Sequence, residues 1–244
     1  MKRFVITVVA LKLALITGFL TLFIFSQATV QKGDKVVATP TPAFQPDDNI
    51  NRSTSEPYTG ALSIFEDADR AKKLQIDRVM DILQITDKSN VADIGAASGW
   101  FTVRAAKRIG TGTVFAVEIN QEYIDHINKR AATEKLPNIE TVLGKPNDPM
   151  LAANSVDAVM ILKTYHEIAE PIAFLRNLRK ATRKGGLVAI IDKDGDGDDH
   201  GLDADSVIAE AKRAGFSLKE KHTFVKDGMD YFLVFSLAGS GAGK

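Results

Sequence analysis

The chain has 244 residues, 45% hydrophobic and 25% charged, enough to bury one sizeable core; disorder throughout is excluded, and one main domain with short appendages is expected. Its 31 basic residues balance its 31 acidic ones and no long basic run marks one face, so the electrostatic footprint of a general nucleic-acid binder is absent. Cysteine is absent too, which removes disulfides, thiolate metal sites, thiol nucleophiles and cysteine lipid anchors.

After Met1, Lys2 and Arg3, the run from Phe4 to Phe25 is interrupted only by Lys12 and reaches the length of about 20 residues that spans hydrocarbon. As a signal peptide it would be cut after Ser26-Gln27-Ala28, whose small residues suit cleavage; as a membrane anchor it stays. Its length, beyond the roughly 7–15 apolar residues of a signal-peptide core, favours the anchor. Lys2, Arg3 and Lys12 against Lys32 and Lys35 lean towards a cytoplasmic N-terminus, with the remainder outside. The expected organisation is therefore a signal anchor or signal peptide at 1–28, a flexible linker rich in Pro, Thr, Asp, Asn and Ser at 29–60, a main domain at 61–238 and a disordered tail at 239–244. The protein would be membrane-anchored, or exported if the segment is cleaved.

From about Ala61, helical and strand patterns alternate without internal repeats. "DADRAKKLQIDRVMDILQI" reads as one helix, with Leu74, Ile76, Val79, Ile82 and Leu83 mostly on one face, and "NVADIG" as a strand running into a glycine turn. "WFTVRAAKRIG" is a helix ended by Gly110, followed by strand "TVFAVEI" and helix "QEYIDHINKRAATEK". Strands "IETVL" and "VDAVMIL", helix "PIAFLRNLRKATRK" and strand "LVAIID" come next. The last elements are a helix, "DADSVIAEAKRAG", and two strands, "SLKEKHTFV" and "YFLVFSL", that read as a hairpin with Asp227-Gly228 as its turn signal. Alternating β and α units predict an α/β fold with a mostly parallel sheet covered by helices on both faces, and ligands of such sheets sit at the carboxyl ends of the strands.

"DIGAASG", Asp93 to Gly99, lies where a strand feeds a helix, so backbone N–H groups there are candidates to face a polar ligand, and Gly95 and Gly99 permit the tight turn. Glu118 ends the next strand, 25 residues beyond Asp93, the position from which a carboxylate accepts ribose hydroxyls. The run "VADIGAASGWFTVRAAKRIGTGTVFAVEIN" resembles the nucleoside-binding segment of class I S-adenosylmethionine-dependent methyltransferases, and the resemblance covers roughly Ile64 to Leu237. It implies a Rossmann-like seven-stranded sheet whose seventh strand enters antiparallel beside the fifth. It also implies S-adenosylmethionine as cofactor, with Asp93, Gly95, Ala96, Ala97 and Gly99 at the methionine end, Glu118 at the ribose, Asp148 at the adenine amino group, and Lys163 beside the methyl group. Ala97 stands where the family's pattern usually has a glycine. An NAD site fits less well, because the G-x-G-x-x-G order is absent.

"KTYHEI" starts at the carboxyl end of the fourth strand, which makes His166 a candidate base for an attacking oxygen or nitrogen and Tyr165 a candidate stacking partner of the substrate. Packing roles are the alternative for both. The basic residues of "RNLRKATRK" read as a solvated helix face.

"DKDGDGDDHGLD" places six aspartates in twelve residues. Against the EF-hand spacing it offers Asp192, Asp194, Asp196, Asp198 and Asp203 as calcium ligands. Asp203 is shorter than the usual closing glutamate, however, and a strand enters where a helix should. A substrate-covering loop, in which His200 reaches the substrate, and a plain surface loop are the other readings. The expected function is methyl transfer from S-adenosylmethionine to a small-molecule or lipid-like acceptor. The alternative is an exported, non-catalytic Rossmann-like binding module with a calcium-binding loop, which would remove the conflict between export and a cofactor made in the cytosol.

Overall fold

A computed structural model describes residues 49–56, 58, 60–196 and 200–239. The apolar segment 4–25, most of the expected linker, Asp198 and residues 240–244 lie outside them. Among the described residues no helix is long and apolar enough to cross a membrane.

A 3-10 turn, Leu62–Phe65, leads into helices α1 (Arg70–Leu74) and α2 (Ile76–Ile82). The sequence predicts one helix here; Gln75, left-handed at φ 49°, breaks it into two. Then follow β1 (Val91–Ile94), α3 (Trp100–Arg108), β2 (Val114–Glu118), α4 (Gln121–Glu134), β3 (Ile139–Leu143) and β4 (Val156–Leu162). A short 3-10 turn, Tyr165–Glu167, precedes α5 (Pro171–Ala181), β5 (Thr182–Asp192), α6 (Ala204–Arg213), β6 (Phe216–His222) and β7 (Tyr231–Leu237).

Local chemistry sets several of these ends. Asn120 caps α4 by accepting from Glu122 N at 2.8 Å, Pro171 opens α5 at a position where its missing N–H is harmless, and Asp203 caps α6 by accepting from Ser206 N at 2.9 Å. Helix α5 stops at Ala181 and not at Lys184, because Thr182 to Gly186 enter β5 through an irregularity between Val156 and Ala158 of β4.

The seven strands stand in the order β3-β2-β1-β4-β5-β7-β6. All neighbours pair in parallel except β7, which runs antiparallel between β5 and β6. The expected hairpin forms, but β6 ends at His222, so residues 223–230 make a loop longer than a two-residue turn; Asp227 and Gly228 take positive φ within it.

Strand alternation divides the core. Val91, Met160, Ala189 and Ile191 meet α1, α2 and α3 on one face, while Ala92, Val159, Ile161, Val188 and Ile190 meet α5 and α6 on the other. Such burial on both faces explains the near-continuous apolar runs of β1 and β4. Trp100, fully buried, carries the guanidinium of Arg70 at 4.6 Å and that of Arg104 at 4.0 Å from its ring centre, a pairing that favours one orientation of α1 on α3.

Within the stretch that composition assigns to a linker, Arg52 and Ser55 are bonded to the domain. Arg52 N donates to Ala169 O at 2.9 Å and its guanidinium pairs with the buried Glu210 of α6 at 2.6 Å. Ser55 N donates to Glu167 Oε2 at 2.7 Å. Residues 49–56 are thus a strap bound to the domain.

Candidate functional site

The carboxyl ends of the parallel strands gather the polar groups. Between β1 and α3, Gly95 and Gly99 take φ of 69° and 78°, and Ala97 takes 50°, a left-handed conformation that costs an alanine about 1–2 kcal/mol. Gly95 is needed for space as well, since a Cβ there would stand 2.4 Å from the Thr164 side chain.

The sequence leads one to expect free N–H donors in this turn, but most are already engaged. Gly95 N and Ala96 N donate to Val117 O at 2.9 and 3.3 Å, and Gly99 N donates to Ala96 O at 2.8 Å. Ala97 N donates to Glu118 Oε1 at 2.6 Å.

Glu118, at the end of β2, is 7% exposed. Its other oxygen accepts from Ile119 N at 3.1 Å. Burial raises its pKa, and the backbone donors of Ala97, Ile119 and Asn120 oppose that rise. Asp93, buried at the end of β1, accepts from Thr102 Oγ1 at 2.6 Å. Desolvation, with a smaller push from the Glu118 charge, lifts its pKa from 3.8 to about 7. Two carboxyl groups held this far from water favour a ligand that brings positive charge or hydroxyl donors.

Asp148 lies in the turn after β3, where its carboxylate accepts from Met150 N at 2.8 Å. Leu143, opposite Glu118 in the ladder, Ile119 and Met150 are large apolar side chains left exposed at this end of the sheet. A planar aromatic ring fits such a rim better than water does. A cleft of about 330 Å³ adjoins the turn at Ser98, with Glu66 and Arg130 in its wall. Glu66 Oε1 accepts from Ser98 Oγ at 2.6 Å and from Arg130 at 2.5 Å, so residues before α1 close over the turn.

At the end of β4, Lys163 is exposed, at φ 53°, and Thr164 packs on Gly95. His166 turns Nδ1 to the Asp192 carboxylate at 2.8 and 3.0 Å, which leaves Nε2 directed to Glu167 Oε1, 3.5 Å away. Of the two readings open for Tyr165, stacking on a substrate and packing, its surroundings match packing. It is fully buried, its hydroxyl donates to Glu210 Oε2 at 2.7 Å, and the Arg52 guanidinium lies over its ring. Packing is its role.

The calcium cage fares no better, because its aspartates serve different partners. Asp192, 0% exposed, is turned inward to His166. Asp194 accepts from Ala204 N at 3.3 Å, Asp203 caps α6, and Asp196 sits in a backbone bridge with Leu202. Among the described residues the only group of three placed to hold a metal ion is His166, Glu167 and His200.

Sequence reasoning missed Thr102, Ser55 and Glu167, and missed Asp192 as a partner of His166. Only Glu167 had a local signal, its position directly after His166; the others are joined to their partners by the fold.

The methyltransferase-domain family model matches residues 91–186, from the start of β1 to the glycines within β5. The chain is 26% identical over 119 residues to an uncharacterized 37.1 kDa protein in transposon TN4556 of Streptomyces fradiae, an alignment covering 48% of this chain and 34% of that protein. It therefore spans about a third of the length of that curated relative. A methyltransferase from Aquifex aeolicus described as S-adenosylmethionine-dependent superposes with a TM-score of 0.66 at 20% identity, covering 72% of this chain and 97% of that one. The cyclase SpnF superposes at a TM-score of 0.59 and 14% identity, covering 69% and 81%. Residues 91–186 thus match a methyltransferase-domain model, and the described domain has the fold seen in the Aquifex aeolicus protein and in the cyclase. The cyclase shows that this fold alone does not specify the reaction.

Proposed function

We propose that the chain is an S-adenosylmethionine-dependent methyltransferase acting on a small-molecule or lipid-like acceptor. One observation carries this reading: the buried Glu118 carboxylate ends β2 while bonded to Ala97 N of the glycine turn at 2.6 Å, so the ribose acceptor and the turn form one unit. In this reading Glu118 accepts the ribose hydroxyls, Asp93 and residues Gly95, Ala96, Ala97 and Gly99 line the cationic methionine end, and Asp148 accepts from the adenine amino group between Ile119, Leu143 and Met150. When bound, the cofactor supplies an activated methyl group on a sulfonium. The protein's part is to align the acceptor in line with it and exclude water. The acceptor lies beside Lys163, Thr164 and His166. The N-terminal segment, in the same proposal, holds the domain at a membrane.

The test is titration calorimetry with S-adenosylmethionine and S-adenosylhomocysteine, followed by transfer of labelled methyl groups to a panel of acceptors. Both compounds are expected to bind, and Glu118→Ala is expected to weaken them at least tenfold, the loss of two hydroxyl hydrogen bonds to a charged group. No heat with either compound would remove the methyltransferase reading. Binding without transfer to any acceptor would favour a different reaction on the same fold.

A further inference from the structure

We propose that His166, Glu167 and His200 hold a divalent transition-metal cation of the zinc type at the carboxyl ends of β4 and β5. The 3-10 turn after β4 supplies the first two residues and the loop after β5 the third. His200 Nδ1 lies 3.2 Å from Glu167 Oε1, and His166 Nε2 lies 3.5 Å from the same atom. All three donor atoms fall within 4.8 Å of one another. An ion bound at about 2.0–2.1 Å in tetrahedral geometry separates its ligands by about 3.3 Å, so two of the three pairs already stand at the required spacing. Two imidazoles with one carboxylate suit zinc, cobalt, nickel or ferrous iron; calcium and magnesium take oxygen donors.

The neighbours of the three ligands match this role. Asp192 is fully buried; its carboxylate accepts from the His166 backbone N at 3.2 Å, faces Nδ1 at 2.8 Å and also accepts from Lys193 N at 2.9 Å. That contact places the proton on Nδ1 and the lone pair on Nε2, the carboxylate–histidine arrangement that orients imidazoles towards a metal. Ser55 N holds Glu167 Oε2 at 2.7 Å, which leaves Oε1 turned to both histidines. The Asp192 that sequence spacing offered as a calcium ligand thus serves here as a positioning residue behind one imidazole. Three protein ligands leave at least one position of a tetrahedral ion for water or for an acceptor oxygen or nitrogen. That last use rests on the methyl-transfer reading; the cation site does not.

The test uses the full chain without a histidine tag, stripped with a chelator and titrated with zinc chloride against a chromophoric competitor, with no cofactor present. One equivalent should bind at micromolar or tighter affinity, and cobalt(II) substitution should give the visible absorption of a four- or five-coordinate ion. His200→Ala, at an exposed loop position, should weaken zinc at least tenfold and keep the fold. His166→Ala should weaken it at least as much. Asp192→Asn should weaken it by about 10–100-fold, the range for partners that orient ligands, while His222→Ala, on the distant β6, should leave it unchanged. Zinc binding absent, or undiminished in His200→Ala, would overturn the site, and hydrogen bonding of Glu167 to its two histidine neighbours would then explain the cluster. Because no adenosyl compound enters these measurements, a failed cofactor titration leaves this result standing, and the reverse also holds.

Discussion

Replacing Asp93 with Asn exchanges a buried carboxyl group for a neutral one of the same shape. The folded-state pKa of about 7 against 3.8 means that the folded protein holds this proton more tightly than the unfolded chain does. Stability therefore falls as pH rises from about 4 through 7 and levels off above it. Keeping this carboxyl buried costs the fold little near pH 4 and a few kcal/mol above pH 7, on the order of 1.4 kcal/mol for each pH unit between the two pKa values. The amide removes this cost and can still accept from Thr102 Oγ1. Asp93→Asn should thus gain on the parent as pH rises from 5 to 8, reaching an advantage of a few kcal/mol at pH 8. Urea unfolding at the two pH values measures the difference. A variant less stable than the parent at pH 8, or an advantage that does not grow between pH 5 and pH 8, would refute the argument that burial of this carboxyl is a standing cost. The same variant should bind S-adenosylmethionine at least tenfold more weakly, since a cationic ligand end loses its counter-charge.

Three further outcomes follow from the geometry. Ala97→Gly relieves a left-handed alanine and should stabilise the fold by up to about 1 kcal/mol in thermal melts, after the greater chain entropy of glycine is deducted. Arg52→Ala leaves the Glu210 carboxylate buried without its cation and should cost about 3 kcal/mol in urea unfolding. Tyr165→Phe removes one hydrogen bond to Glu210 and should lower stability by about 1–2 kcal/mol, with labelled methyl transfer unaffected because the ring does not face the acceptor side.

The order of the strands, the glycine turn and the position of Glu118 were legible because each is encoded locally: apolar runs mark the parallel strands, and the turn and its acid lie within one βαβ unit. The break at Gln75 was not, since a left-handed residue inside a helical apolar pattern leaves no compositional mark. Tyr165 looked available for stacking because it follows a strand end, yet its partners Glu210 and Arg52 are brought to it only by the fold. The aspartate run was misleading for a related reason. Its spacing suits a calcium loop, but Asp192 is the last residue of β5, opposite Tyr231, and strand geometry turns its side chain inward. His166 and His200 lie in separate loops and meet only when β4 and β5 pair.

The strap of residues 49–56 has a mechanical consequence. Among the described residues the first strong attachment is Arg52, fixed through its guanidinium to Glu210 and through its backbone to Ala169; Ser55, which holds Glu167, comes after it. Within the strap, Arg52 is thus tied both to α6 and to the backbone two residues beyond Glu167. Arg52 works like the clamp on a cable at the wall of an instrument, fastening the strap at two points before it reaches Glu167.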